Sequence, residues 1–376
     1  MIRTQSRPGN GCDSKAGDGA KSNCIARIGG DDFNTPVVGP KYSPSEFDLI
    51  GNGDHQAALH ERASDATRKS FGRNVFVRAV VEVSNFCREN CAYCGMRRDN
   101  RALHRYRAKH EQLAEMLIHQ RPASVTDVNI QAGEDPVAVR EIALPLIRTL
   151  RRETPLGISV CLGSLSPELY AELFSAGATI YIIKFECGDP ASYAKFQAPG
   201  TFGERLEKIR HLASTGWKVS SGFIAGLPGQ DAPDLAQNLQ LASELPLHGC
   251  SVSPFVPGDE TPLANDLPSN ANWTLNCMAA MRLMRPDWVI PAVSALNLAA
   301  DDGYRRGLRA GANLTTINLT PAELRGDYVI YKRDRFIMTE ERVLNAIAAE
   351  GLTPSRESLA DFYQRASAET SAPLPA

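Results

Sequence analysis

The 376-residue chain contains no apolar run near the roughly 20 residues that a membrane-spanning helix needs. Its opening stretch, MIRTQSRPGNGCDSKAGDGAKSN, has no apolar centre of the kind that marks a secretory signal. A cytoplasmic protein without a membrane partner is the expectation. Charge of one sign is missing as well: 41 Lys and Arg stand against 43 Asp and Glu, a net −2. That balance excludes a general electrostatic attraction to nucleic acid and leaves a small molecule as the expected partner. Nor is a disulfide framework expected. In a reducing compartment the nine cysteines are thiols or metal ligands. Six of them, Cys12, Cys24, Cys161, Cys187, Cys250 and Cys277, stand singly and read as small buried hydrophobes or idle thiols.

What is present is a regular alternation. Residues 1–42, rich in Gly, Ser, Lys and Asp without apolar period, read as a mobile N-terminal extension. A short helical lead-in follows, with Ser43 or Ser45 as its N-cap. Apolar, β-branched runs then recur at 75–84, 125–131, 157–163, 179–186, 217–226, 249–255, 288–294 and 312–319. Between them lie segments of helical spacing, among them DPVAVREIALPLIRTLRRE, SPELYAELFSAG and TFGERLEKIRHLASTG, several closing on Gly. Eight strands alternating with helices predict the α/β class and a closed (β/α)8 TIM barrel over 43–355, with a C-terminal helix or tail at 356–376. In such a barrel the chemistry collects where the strands end and the following loops begin.

The cysteines not yet placed, Cys87, Cys91 and Cys94, fall just beyond the first of these strands. Gaps of three and then two residues let one loop present three sulfurs to one centre, and thiolates favour soft metals. A structural zinc site needs a fourth ligand, for which His104 in the basic run RRDNRALHRYR is the nearest candidate. A 4Fe-4S cluster held by three cysteines instead leaves one iron open to a ligand that is not protein.

The pattern Cys-x3-Cys-x2-Cys with Tyr93 before the last cysteine resembles the signature of the radical SAM superfamily. The similarity extends from about residue 45 to 350 through IQAGEDP, FGERLEKIRHLASTGWKVSSGFIAGLPGQ, SPFVPGDETPLAN and RAGANLTTINLTP. It is to the branch that holds the hydrogenase maturase HydE, the methylornithine synthase PylB and, more distantly, biotin synthase. The resemblance implies a radical SAM type barrel with two cofactors, a 4Fe-4S cluster on Cys87, Cys91 and Cys94 and S-adenosylmethionine (SAM) on the open iron. An electron from a flavodoxin or ferredoxin-type donor would cleave SAM to methionine and a 5'-deoxyadenosyl radical that acts on a small substrate. By the same resemblance Gly133 and Glu134 receive the methionine amino group, Glu186 the ribose hydroxyls and Arg205 the carboxylate. Tyr93, Gly222 and Gly226 would flank the adenine.

Departures from the branch bear on the reaction. DYVIYKRDRFIMTEERVLN has no cysteine where many HydE proteins carry a second group, so no second cluster is expected there. Biotin synthesis is disfavoured because Ser159 and Ser220 stand where further cysteines would be needed, although Cys161 shares a strand face with Ser159. Lys184, Val293, Ser294 and Asn297 are the candidate substrate contacts. The alternatives kept open are a PylB-like carbon-skeleton rearrangement, a biotin-synthase-like sulfur insertion, and a zinc or Fe-S binding protein without turnover.

Overall fold

The computed structural model describes residues 42–332 and 337–371, without the side chains of 367–371. Residues 1–41 of the expected extension, with Cys12 and Cys24, lie outside the described residues. The β-branched runs form β1 (Asn74–Ser84), β2 (Asp127–Ala132), β3 (Gly157–Cys161), β4 (Ile180–Ile182), β5 (Lys218–Ala225), β6 (Gly249–Pro254), β7 (Leu314–Asn318) and a two-residue β8 (Thr353–Pro354). Seven of them run parallel in the order β6-β5-β4-β3-β2-β1-β7, and β8 pairs with the start of β1. The expected strand at 288–294 is present only as single parallel bridges, Gly249 to Val289 and Pro291 to Leu314. Those bridges join β6 to β7 and complete the ring. Pro291 has no N–H to give, which limits pairing at this stave.

Helices start and stop where their caps dictate. Ser45 caps Glu46–Ile50, Ser166 caps Pro167–Ala176, and that second helix ends on Gly177 at φ 119°. Thr201 and Glu204 form a reciprocal capping box on Phe202–Ser214. The segment 136–153 is helical throughout but widens into a π turn at Val139–Ala143, next to Pro145. Proline cannot donate its backbone hydrogen bond, and a wider turn accommodates that loss.

On β1, Val75, Val77, Ala79, Val81 and Val83 join the main apolar core beneath the helices. The alternate residues face the barrel interior, where Arg78 is in register with Asp127, Glu82 with Gln131, and Gln131 with Cys161. This interior is polar. Glu82 is buried and accepts hydrogen bonds from Asn318 at 3.1 Å and Gln131 at 3.4 Å. Polar groups cost free energy when buried without partners, so a lumen of this kind is built for ligands more than for stability.

The other end of the barrel is closed by apolar packing. The helix Leu359–Ser371 sets Leu359 and Tyr363 against Phe76, Ile180, Val289 and Leu314. Its first N–H, on Leu359, donates to the Asp127 carboxylate at 3.0 Å. Nearby, His248 Nδ1 accepts the Val219 N–H at 3.3 Å and the ring meets Tyr363 edge-on. Burial, then the charges of Lys218 and Arg285, push the His248 imidazole down to about 4. Between pH 6.5 and 4 the unfolded chain therefore takes a proton that the folded chain refuses. The stability contribution is complete above pH 6.5 and is lost as pH falls through that window, by about 3 kcal/mol in all. Urea denaturation at pH 7 and pH 4.5 should show the wild type losing about 2–3 kcal/mol more than His248→Gln. Parallel losses in the two proteins would refute a buried neutral imidazole.

Candidate functional site

The loop from β1 to the helix His110–His119 carries the three cysteines. Cys91 is buried, and Cys87 and Cys94 are half-buried; all three are free thiols. Burial is the largest cause that raises all three thiols, with the charges of Cys94 and Cys87 adding to it at Cys91 and that of Cys87 at Cys94, which is pushed up to about 12. Three thiols this close and this dry stay protonated unless a cation neutralises them. Among the described residues no three His, Cys, Asp or Glu side chains converge as ligands of one metal ion. His104 is 77% exposed and pairs with Asp327 at 2.9 Å, turned to solvent. The donor set thus suits a multi-iron cluster and disfavours tetrahedral zinc.

Most of what holds this loop is absent from any spacing rule. Arg105 lies inside it: Nη1 donates to Asn85 O at 2.5 Å and Met96 O at 2.9 Å, and Nη2 to Arg97 O at 2.7 Å and Asn100 O at 3.3 Å. Asn85, fully buried, ties β1's end to His104 O, Asp327 O and Tyr106 N. Two residues from the start of the segment expected to lack a second cluster, Tyr328 and Val329, pack on Met96, Leu103 and Tyr106 of the loop. In the sequence Arg105 is one of several arginines in a basic run, and nothing distinguishes it. Arg105→Ala should leave four carbonyls without their donor and lower stability by about 2–3 kcal/mol. Iron retained after anaerobic loading should fall with it. Unchanged iron content and melting temperature would count against this role.

The expected Gly133–Glu134 turn sits against the cysteines. A Cβ on Gly133 would lie 2.3 Å from Phe86 O and 2.8 Å from Cys87 Cβ, so only glycine permits this approach. The Glu134 N–H donates to Cys87 Sγ at 3.3 Å. Its carboxylate accepts Arg205 Nη2 at 3.1 Å and the Ser164 N–H at 3.0 Å on one oxygen, and Arg88 at 3.1 Å on the other. Arg205, 3% exposed, also donates to Tyr193 OH and Pro199 O, which leaves Nη1 without a protein partner among the described residues. The Arg107–Asp135–Ser84 network, which spacing did not reveal, anchors the next residue at 2.7 Å from either side.

Glu186 has a left-handed backbone, φ 63°, unusual for a residue with a side chain. The strain is held by its N–H to Gly222 O at 3.0 Å and its carbonyl to the Ile224 N–H at 2.8 Å. Its carboxylate pairs with Lys184 Nζ at 3.3 Å, and Tyr93 and Cys91 lie close enough to feel its charge. Cys161 joins this group from β3, near Lys184, Glu186 and Arg78, with burial holding its thiol up at about 11. Gly222 lets β5 approach β6, since a Cβ would lie 2.4 Å from Ser251 O; Gly226 turns at φ 82°. The seventh-stave residues differ in kind. Asn297 is engaged at both ends, accepting the Tyr304 N–H at 3.1 Å and donating to Met338 Sδ at 3.3 Å. Val293 packs on the core and Ser294 is exposed.

Residues 81–242 match the Radical SAM superfamily domain. Over 282 residues the chain is 33% identical to the [FeFe] hydrogenase maturase subunit HydE of Thermotoga maritima, covering 75% of this chain and 81% of that protein. It is 28% identical to the 3-methylornithine synthase of Methanosarcina barkeri, covering 80% and 87% respectively. The crystal structure of methylornithine synthase (PylB) superposes with a TM-score of 0.76 at 24% identity, over 86% of this chain and 97% of that one. That likeness is one of fold, a parallel sheet with helices of the (β/α) barrel type.

Proposed function

The chain belongs to the radical SAM superfamily, and from that premise we propose that Cys87, Cys91 and Cys94 ligate three irons of its 4Fe-4S cluster and that SAM binds beside them. It is a radical SAM enzyme whose cofactors are that cluster and SAM. When bound, the two supply a 5'-deoxyadenosyl radical by one-electron cleavage of a sulfur–carbon bond. The chain's own residues bind, orient and exclude water.

Arg205 offers Nη1 to the SAM carboxylate while Glu134 and Tyr193 hold its plane. The Gly133–Glu134 turn, locked to Cys87, takes the amino group. Glu186, held in its strained backbone, takes the ribose hydroxyls, with Tyr93, Gly222 and Gly226 beside the adenine. Lys184 faces a small polar substrate from the pair it makes with Glu186. Val293 and Ser294 remain proposed substrate contacts, whereas Asn297 serves chiefly to start the helix Gly303–Arg309. A flavodoxin or ferredoxin-type protein is the proposed electron donor, in the cytoplasm. No helix among the described residues is long and apolar enough to cross a membrane.

One observation carries this reading: three thiols, one buried and two half-buried, and the Arg205–Glu134 pair lie at the C-terminal ends of the strands, joined through the Glu134 N–H to Cys87. For the reaction itself, a HydE-like transformation of a small sulfur-containing or amino-acid-like molecule is favoured by the 33% identity, with a methylornithine-synthase-like rearrangement as the alternative. Anaerobic reconstitution with iron, sulfide, dithionite and SAM should yield methionine and 5'-deoxyadenosine in equal amounts. Iron-loaded protein that binds SAM without cleaving it would overturn the proposal.

A further inference from the structure

We propose that the turn Arg97–Arg101 is the docking surface for an acidic one-electron carrier protein. The inference rests on the function proposed above and names the partner of its cofactor site. The chain as a whole is near neutral, with 41 cations against 43 carboxylates. Yet between residues 88 and 109 seven cations, Arg88, Arg97, Arg98, Arg101, Arg105, Arg107 and Lys109, meet only Glu89 and Asp99.

Three of those cations are committed to partners within the protein, although the side chains of Arg88 and Arg107 stay 52% and 35% exposed. Arg88 pairs with Glu134, Arg105 with loop carbonyls and Arg107 with Asp135. The others turn outward: Arg98, Arg101 and Lys109 are exposed and Arg97 is half-buried. Arg98 and Asp99 lie 3.2 Å apart, but both are more than half exposed, and a pair of that kind in water offsets little of the local positive potential.

The turn is also held still. Asn90 accepts Arg97 Nε at 2.9 Å and the Asp99 N–H at 3.2 Å. The Arg98 N–H donates to Glu89 O at 2.7 Å, and the buried Asn100 side chain donates to Gly95 O at 2.7 Å. Long arginines on a fixed backbone give a partner a defined register at reduced entropic cost. Most important is where the turn is fixed: the Arg97 N–H donates to Cys94 O at 3.1 Å. A carrier seated on these cations stands one hydrogen bond and a few covalent bonds from a cluster ligand.

A nucleic acid is a poorer fit. Such binders pair basic grooves with exposed aromatic faces, whereas Tyr106 of this loop is buried and the cations cover a single turn. Opposite charge chiefly accelerates encounter, and it does so in a salt-dependent way.

The test is the double variant Arg98→Glu, Arg101→Glu, neither residue being part of the cofactor machinery. Reduction of the loaded enzyme by photoreduced bacterial flavodoxin is followed by stopped-flow absorbance. Binding of oxidised flavodoxin is measured by calorimetry, which reads the surface whether or not a cluster has assembled. At low ionic strength both the second-order rate and the affinity should fall about 10-fold or more. The difference should vanish near 0.5 M salt, where the screening length is about 4 Å. With dithionite as reductant the variant should match the wild type within about twofold, since no docking is involved. Equal flavodoxin rates and affinities in variant and wild type overturn the proposal. So does an equal loss with both reductants, which would mark the turn as a support of the cluster. A wild type that docks flavodoxin through these residues but never cleaves SAM would instead overturn the function proposed above and leave the docking surface standing.

Discussion

Cys91→Ala should abolish SAM-dependent 5'-deoxyadenosine formation while leaving the barrel folded. Cys91 is the most buried of the three clustered thiols, and its loss removes the proposed ligand of one iron. The fall in rate should be at least about 10²-fold, the upper end of what mutating a mere supporting residue at a metal site costs. Iron and sulfide analysis should fall in step with product. The fold should tolerate the change: alanine is smaller, and the cavity penalty of one sulfur is about 1 kcal/mol. Far-ultraviolet circular dichroism and the melting temperature check that point. A variant that keeps its iron and still makes 5'-deoxyadenosine would show that Cys91 is no ligand, and the proposed cluster set would fail with it.

Arg205→Ala should separate SAM binding from cluster assembly. Three contacts hold the guanidinium, to Glu134, Tyr193 and Pro199, and one amino group is left to a ligand. A charge-assisted hydrogen bond contributes about 1.5–3 kcal/mol, so SAM affinity should weaken by about 10- to 150-fold. Stability should fall by about 3 kcal/mol or somewhat less. The reason for the lower figure is that Arg88 and the Ser164 N–H still compensate Glu134 after Arg205 is gone. Iron content should be unchanged. A purely structural arginine predicts something else: lower stability with unaltered SAM affinity in the folded fraction, as read by calorimetry. Arg205→Lys should recover charge without the forked geometry and therefore restore only part of the affinity.

Much of the barrel was legible because its strands are chemically emphatic. The run 75–84 became β1 at Asn74–Ser84, and 217–226 became β5 at Lys218–Ala225. Where the expectation and the structure part, a named residue is responsible. The run 179–186 shortened to Ile180–Ile182, and it ends before Glu186 turns left-handed to present its carboxylate. The run 288–294 shrank to two bridges around Pro291. Thr353–Pro354 has no strand-like pattern and pairs with Asn74 and Val75 at the start of β1.

The candidate site divides in the same way. Cys87, Cys91 and Cys94 declare themselves by local spacing, because one loop carries all three and spacing is a local property. Glu134, Arg205, Arg88 and Tyr193 come from four separate segments, and their mutual pairing is a product of barrel closure. Even with the right residues singled out, the sequence did not disclose that Glu134 and Arg205 are bound to each other.

The sequence by itself determined the class of chemistry and the strand–helix rhythm, since both depend on residue types at short separations along one chain. Only the tertiary structure decided which charges are spent and which are left to act. Arg98, Arg105 and Arg107 look alike in a basic run, yet one faces solvent, one ties the cysteine loop and one is paired to Asp135. Their partners lie at distances that folding alone brings together, and a charge's role is set by what stands within a few ångströms of it.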